Sequence, residues 1–215
     1  MIIMKALTDK LRKLAVVPVV KLQSADTALD VADALIRGGL PCAEITFRTD
    51  AAAESIRLIS QARPDFTVGA GTVLTPEQAD AAKEAGAVFA VSPGFNPRVV
   101  SRCIEIGLPI FPGVCTPTEV EAAMEMGLEY LKFFPAEAAG GVKMLKALMG
   151  PYAHLCFMPT GGVTTGNLAD YLGCPNVFAC GGTWIVPAKE LSEGRFDKIE
   201  ELAREAAELA GRTKR

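Results

Sequence analysis

The chain contains one histidine, His154, in 215 residues, and its six cysteines (Cys42, Cys103, Cys115, Cys156, Cys174 and Cys180) stand apart without a CxxC pair. A zinc centre needs several imidazole or thiolate ligands at short spacing, so neither a structural nor a catalytic metal site is expected. Cationic excess is also missing. Against 22 Lys and Arg there are 25 Asp and Glu, a net charge of -3, and no local basic patch offers nucleic acid an electrostatic footprint. Long apolar runs are absent as well: the longest, 14–20, falls far short of the roughly 18 residues of a membrane span. The apolar N-terminal residues give way at once to Lys5, Asp9, Lys10, Arg12 and Lys13, too soon for a secretory signal. These absences point to a cytoplasmic protein with reduced thiols and with neither a membrane nor a nucleic-acid partner. Cys42, Cys156 and Cys180 lie in strand-like apolar runs, where a buried free thiol is the ordinary state; disulfides in an exported chain are the alternative.

What is present is a globular composition, 50% hydrophobic and 22% charged, far from the polar, highly charged sequences that stay disordered. The length suits a single domain over residues 1–215. One pattern repeats throughout: an amphipathic stretch ending in Gly, a short break, a short apolar run, then a polar or Gly-rich loop. This is the signature of βα units. Strands are predicted near 15–20, 42–47, 67–70, 88–92, 110–112, 130–134, 156–159 and 177–180. The helices between them carry start and stop signals. One runs from Ser24 to Gly38-Gly39, one from Thr75-Pro76 to Gly86, and one from Thr116-Pro117 to Gly127. Ser or Thr suits the N-cap, Pro the first helical position, and Gly the left-handed residue that ends a helix. Eight pairs at about 27 residues each approach the lower size limit of a (β/α)8 TIM barrel, here with a short extra helix over 5–14. An open doubly wound sheet is the competitor. It would place GxGxxG after the first strand, where this chain reads Lys21-Leu22-Gln23-Ser24.

In a barrel of this kind chemistry sits at the C-terminal ends of the strands, so polar residues inside apolar strands carry the most information. Lys132 lies between Leu131 and Phe133, and strand alternation puts it on one face with Tyr130 and Phe134. If Leu131 and Phe133 meet the helices, Lys132 points inward, where loss of hydration favours a neutral amine able to attack a carbonyl. Glu44, Thr46 and Arg48 share a second inward parity. A buried carboxylate needs a partner, and across a narrow interior Lys132 is the candidate. Glu44 then reads as a general acid/base beside an amine nucleophile, or the two form a purely structural ion pair. Nearer the mouth, the planar fork of Arg48 could hold a substrate carboxylate or pair at the surface with Asp50 or Glu54. Lys21, ending the first strand, either attracts an anion or is simply exposed. Two glycine clusters, Thr160-Gly161-Gly162 and Gly181-Gly182-Thr183, follow the seventh and eighth strands, the expected place for a phosphate. A helix opening at 183–185 would add its partial positive charge there.

The segments EITFRT (44–49), VGAGTVL (68–74), VSPGF (91–95), LKFFPAE (131–137), GGVKMLKALMGP (140–151), PTGGV (159–163) and GGTWIVP (181–187) resemble those of the KDPG/KHG aldolase family over roughly residues 6–210. The resemblance implies a (β/α)8 barrel assembled as a homotrimer, acting without metal or cofactor on a small phosphorylated 2-keto acid. It also implies roles by position. Lys132 matches the Schiff-base lysine and Glu44 the proton-transfer residue. Arg48 and Thr72 match the groups that hold the pyruvyl carboxylate, Phe134 the ring covering the pyruvyl unit, and Pro93 the backbone bordering it. Thr160, Gly161, Gly162, Gly182 and Thr183 fall at the phosphate pocket. Family members commonly carry Ser at the place of Thr183; the hydroxyl survives, but the added methyl crowds the pocket. The implied reaction is cleavage of 2-keto-3-deoxy-6-phosphogluconate to pyruvate and glyceraldehyde 3-phosphate. The alternatives are 4-hydroxy-2-oxoglutarate or a phosphogalactonate-type epimer as substrate and, from another class, an inactive oligomeric scaffold.

Overall fold

The computed structural model describes residues 2–213. The chain opens on α1 (Ile2–Leu14), then β1 (Val16–Val20), α2 (Ala28–Arg37), β2 (Cys42–Thr46), α3 (Ala52–Ala62), β3 (Thr67–Gly71) and α4 (Pro76–Glu84). It continues through β4 (Ala90–Val91), α5 (Pro97–Glu105), β5 (Ile110–Phe111), β6 (Gly113–Val114), α6 (Pro117–Glu125), β7 (Tyr130–Phe133) and α7 (Gly141–Met149). Last come β8 (Cys156–Pro159), α8 (Leu168–Leu172), β9 (Cys180–Gly182), α9 (Ala188–Ser192) and α10 (Phe196–Thr213). The predicted helix signals act as capping chemistry requires. Thr75 accepts a hydrogen bond from the Gln78 N–H at the start of α4. At α6, Thr116 and Glu119 cap each other reciprocally, each satisfying a backbone donor that the first turn leaves free.

All pairings are parallel. Six strands form one sheet in the order β5-β4-β3-β2-β1-β9, and three form a second, β6-β7-β8. The larger sheet is curled, because Phe111 on one edge strand and Phe178, just ahead of the other, bring their ring centroids to 5.4 Å. Residues on the two faces of the strands therefore enter two separate cores. A large one lies between strands and helices and includes Ile45, Leu131, Phe133 and Ile185. A smaller one fills the concave side with Val17, Cys42, Phe89, Phe111, Met158 and Phe178, and Leu7 and Leu11 of α1 close its N-terminal end.

The structure redraws two of the predicted strands. The segment predicted as one strand at 110–112 is split by Pro112: β5 pairs with β4 and β6 with β7. Proline brings no N–H to a ladder, but its carbonyl still accepts from the Lys132 N–H at 2.9 Å. The last strand lies later than predicted. Within the predicted 177–180 segment, Val177 makes only an isolated bridge to Phe157, while Cys180, Gly181 and Gly182 pair with Val16, Val17 and Pro18. Gly181 and Gly182 are thus buried strand residues and not a loop. A Cβ at Gly181 would lie 2.2 Å from Thr160 Oγ1, and one at Gly182 would lie 2.4 Å from the Trp184 ring. Residues 183–185, predicted to open a helix, form a bend and turn, and α9 begins only at Ala188.

Candidate active site

Lys132 and Glu44 face each other across the concave interior. β7 carries the lysine between Gly113 of β6 and Met158 of β8, and its Nζ stands 3.7 Å from Glu44 Oε1. Both are buried, at 5% and 0% exposure. Neither carboxylate oxygen of Glu44 has a hydrogen-bond partner, so the lysine is the charge that offsets its desolvation. The other wall is Phe134, whose ring centroid is 5.0 Å from Nζ, within cation–π range.

Room for this pair comes from glycines. A Cβ on Gly71, on the neighbouring strand, would lie 2.2 Å from Glu44 Oε1. At Gly113, beside Lys132, it would lie 2.1 Å from the carbonyl oxygen of Pro93, which brings the backbone of Pro93 to the strand next to the lysine's. Sequence reasoning missed Gly71 and Gly113; the available signal is the small residue at the strand end in GAGT and PGV.

Around this centre the chain keeps polar groups at the strand ends. Thr72 follows β3 with φ +56°, a left-handed backbone that a β-branched residue adopts only where surrounding structure enforces it. Thr46 donates its hydroxyl hydrogen to the Val20 carbonyl at 3.0 Å, and its Oγ1 accepts from Arg48 Nε at 3.2 Å. Arg48 is exposed, and among the described residues it forms no ion pair; Glu54 pairs with Arg57 instead. Arg48 and Thr183 line one cavity of about 590 Å³ together with Lys21 and Ser24. Lys132 and Glu44 are buried and do not line it.

Thr160 is buried, and its N–H donates to the Phe133 carbonyl at 3.0 Å. Gly161 and Gly162 continue from it with φ +96° and +84°, a turn open to glycine. The edge of the Phe134 ring lies 3.2 Å from the place where a Gly161 Cβ would be. Gly182 ends β9 and Thr183 follows it, exposed. His154, by contrast, is exposed in the turn ahead of β8, at the end of the strand away from Thr160. A primary amine beside a carboxylate in a dry enclosure, with an arginine and hydroxyls at its mouth, has what is needed to add to a ketone and move a proton next to it.

The chain is similar to known proteins in sequence and in fold. Residues 7–202 match the family model described as KDPG and KHG aldolase. The chain is 53% identical to the 2-dehydro-3-deoxy-phosphogluconate aldolase of Haemophilus influenzae, over 94% of this chain and 95% of that protein. It is 45% identical to the KHG/KDPG aldolase of Escherichia coli K12, over 91% and 92%. Among solved structures it is similar to the KDPG aldolase of Legionella pneumophila with pyruvate captured at low pH as a covalent carbinolamine intermediate. The TM-score there is 0.89 at 38% identity, covering 92% of this chain and 96% of the other. A family match over residues 7–202, with relatives such as these covered over nearly their full length, makes this protein a member of the KDPG and KHG aldolase family.

Proposed function

We propose that the chain is a class I, metal-independent aldolase, cleaving 2-keto-3-deoxy-6-phosphogluconate reversibly to pyruvate and glyceraldehyde 3-phosphate. The observation that carries this reading is the buried Lys132–Glu44 pair at 3.7 Å. The Lys132 amine adds to the C2 ketone to give a carbinolamine, and loss of water leaves an iminium. Glu44, directly or through one water, takes the proton of the C4 hydroxyl. The C3–C4 bond breaks, its electrons pass into the iminium to form an enamine, and the aldehyde departs. Glu44 returns the proton to C3, and water hydrolyses the iminium to pyruvate and free Lys132. The 3.7 Å gap is longer than a hydrogen bond, consistent with a group that works on an inserted substrate or water.

In this reading Arg48 and Thr72 hold the pyruvyl carboxylate, Phe134 covers the pyruvyl unit and the Pro93 backbone borders it. That Arg48 has no ion-pair partner among the described residues supports its assignment. The phosphate is met by Thr160, Gly161 and Gly162, with Gly182 and Thr183 beside them, where positive-φ glycines let backbone N–H groups approach an anion. The relative from Escherichia coli bears the double name KHG/KDPG aldolase, which keeps 4-hydroxy-2-oxoglutarate as a second substrate. A scaffold without activity is disfavoured by the buried Lys132–Glu44 pair, whose carboxylate accepts no hydrogen bond and is costly to keep.

The full (β/α)8 barrel belongs to the same proposal, as one domain. Its closure is supported on one side by the continuous segment from β5 through Pro112 to β6. On the other side the parallel bridges Phe157–Val177 and Thr160–Gly181 support it. A homotrimer goes with the family resemblance, and the exposed Ile3 and Ile104, which flank an apolar cleft, supply surface for such contacts. Among the described residues no helix is long and apolar enough to cross a membrane. The test is borohydride reduction in the presence of pyruvate. A reduced pyruvyl adduct is expected on the peptide containing Lys132, and an adduct on another lysine, or none, overturns the mechanism.

A further inference from the structure

Glu137 lies midway along the loop after β7 and has no part in the chemistry above, yet it is tied to the Gly161–Gly162 turn at two places. Its backbone N–H donates to the Gly161 carbonyl at 3.0 Å. Its side-chain stem lies flat against Gly162, since a Cβ there would fall 2.5 Å from Glu137 Cγ and 2.6 Å from its Cβ. The far end of the side chain is fixed as well. Oε1 accepts a hydrogen bond from the hydroxyl of Tyr171 in α8, and the tyrosine is fully buried. A Cβ on Gly141 would stand 3.2 Å from both oxygens of that bond, so a backbone turn also packs against it. From the other side Asn167 Nδ2 donates to the Gly162 carbonyl at 3.0 Å.

We propose that Glu137, locked by Tyr171, is a positioning residue that fixes the Gly161–Gly162 turn, and that it thereby sets the preference for a substrate with a distal phosphate without touching the reaction at Lys132. The proposal rests on the reading that this turn receives the phosphate. Each link is physical. Both glycines hold positive φ, and without a Cβ their backbones have many other conformations open to them. Backbone donors stabilise an anion best when they are held in place before it arrives. Glu137 restrains the turn through one backbone bond and one surface of packing, and the tyrosine restrains Glu137. Burial, and then the bond to the carboxylate, push the Tyr171 hydroxyl above its usual range, so it remains a donor at neutral and moderately alkaline pH.

Tyr171→Phe removes one hydroxyl and keeps the ring. Pyruvate release is measured with the phosphorylated keto acid and with the same acid lacking phosphate, alongside borohydride trapping of pyruvate. For Tyr171→Phe the expected result is a KM for the phosphorylated substrate raised about tenfold, the size of one charge-assisted hydrogen bond. Its kcat, the cleavage of the unphosphorylated acid and the trapping stay at wild-type levels. Glu137→Gln keeps the stem and an uncharged acceptor for Tyr171 and should raise that KM less than Tyr171→Phe does, whereas Glu137→Ala should match or exceed the loss in Tyr171→Phe. Equal losses on both substrates, or no change on either, overturn the clamp. A wild-type enzyme that does not prefer the phosphorylated acid overturns the phosphate reading itself. A preference that survives Tyr171→Phe intact overturns only the clamp.

Discussion

The two ends of the concave core are built on the same strands and differ in almost every chemical respect. At the N-terminal end Phe89, Phe111, Phe178 and Tyr130 pack in tilted and edge-to-face pairs with centroid separations of 5.4 to 5.7 Å, closed off by Leu7 and Leu11. One alternation further along, about 7 Å by strand geometry, Tyr130 gives way to Lys132 and Cys42 to Glu44. Glycine marks both levels for opposite purposes. A Cβ on Gly69 would lie 2.2 Å from the Phe89 ring, and one on Gly71 would lie 2.2 Å from the Glu44 carboxylate. The same device on one strand admits a large apolar ring below and a charge above. The aromatic end supplies stability, and that surplus can offset a carboxylate with no hydrogen bond at the other.

Converting the polar end into a copy of the dry one is the most severe test of this division. Lys132→Met should abolish pyruvate release and also destabilise the fold at pH 7, because Glu44 then keeps a buried charge without its cation, a loss of about 3–5 kcal/mol for a broken buried pair. Adding Glu44→Leu should bring stability back to the wild-type level or above, since an apolar replacement of such a pair is neutral or stabilising, while activity stays absent. Urea denaturation and a coupled pyruvate assay read the two quantities separately. If the single variant is as stable as wild type, Lys132 does not carry the compensation assigned to it. The reverse test lies at the other end. Phe178→Ala should cost about 3–5 kcal/mol as a large cavity in a packed core, yet leave kcat/KM of the folded fraction nearly unchanged. A large loss of activity there would mean that the two ends are mechanically one.

Much of this division is legible in the sequence because it is written in local contrasts. Lys132 interrupts an apolar strand, and Glu44 shares its parity with Thr46 and Arg48; alternation alone then points both inward. Thr75-Pro76 and Thr116-Pro117 announce their helices because capping depends on residues three or four apart. What escapes depends on contacts between distant segments. Gly181 and Gly182 read as a loop because they have no side chains to show alternation, yet they are glycine because Thr160 and Trp184 occupy the space. Pro112 splits a strand that its apolar neighbours suggest is continuous. The bond between Tyr171 and Glu137 joins residues 34 apart, and no periodicity marks it.

The boundary between the two ends runs along β2, between Cys42 and Glu44, and a pH titration can locate it. Burial pushes the Cys42 thiol up from 9.0 to about 12, and its Sγ lies 3.5 Å from the Val16 carbonyl. Between those values the unfolded chain has released a proton that the folded chain retains. The stability this thiol contributes is therefore whole below pH 9 and declines as pH climbs toward 12, by at most about 1.4 kcal/mol per pH unit. Cys42→Ala removes that dependence, so its unfolding free energy should fall less steeply than that of wild type between pH 9 and pH 10.5, measured in urea under reducing conditions. The two curves should converge as pH rises, by about 2 kcal/mol at pH 10.5. Parallel curves would mean that water reaches Cys42 and that the dry end begins lower on the strand. The expected convergence would place the change from apolar to polar interior within a single alternation, directly beneath the carboxylate that faces Lys132.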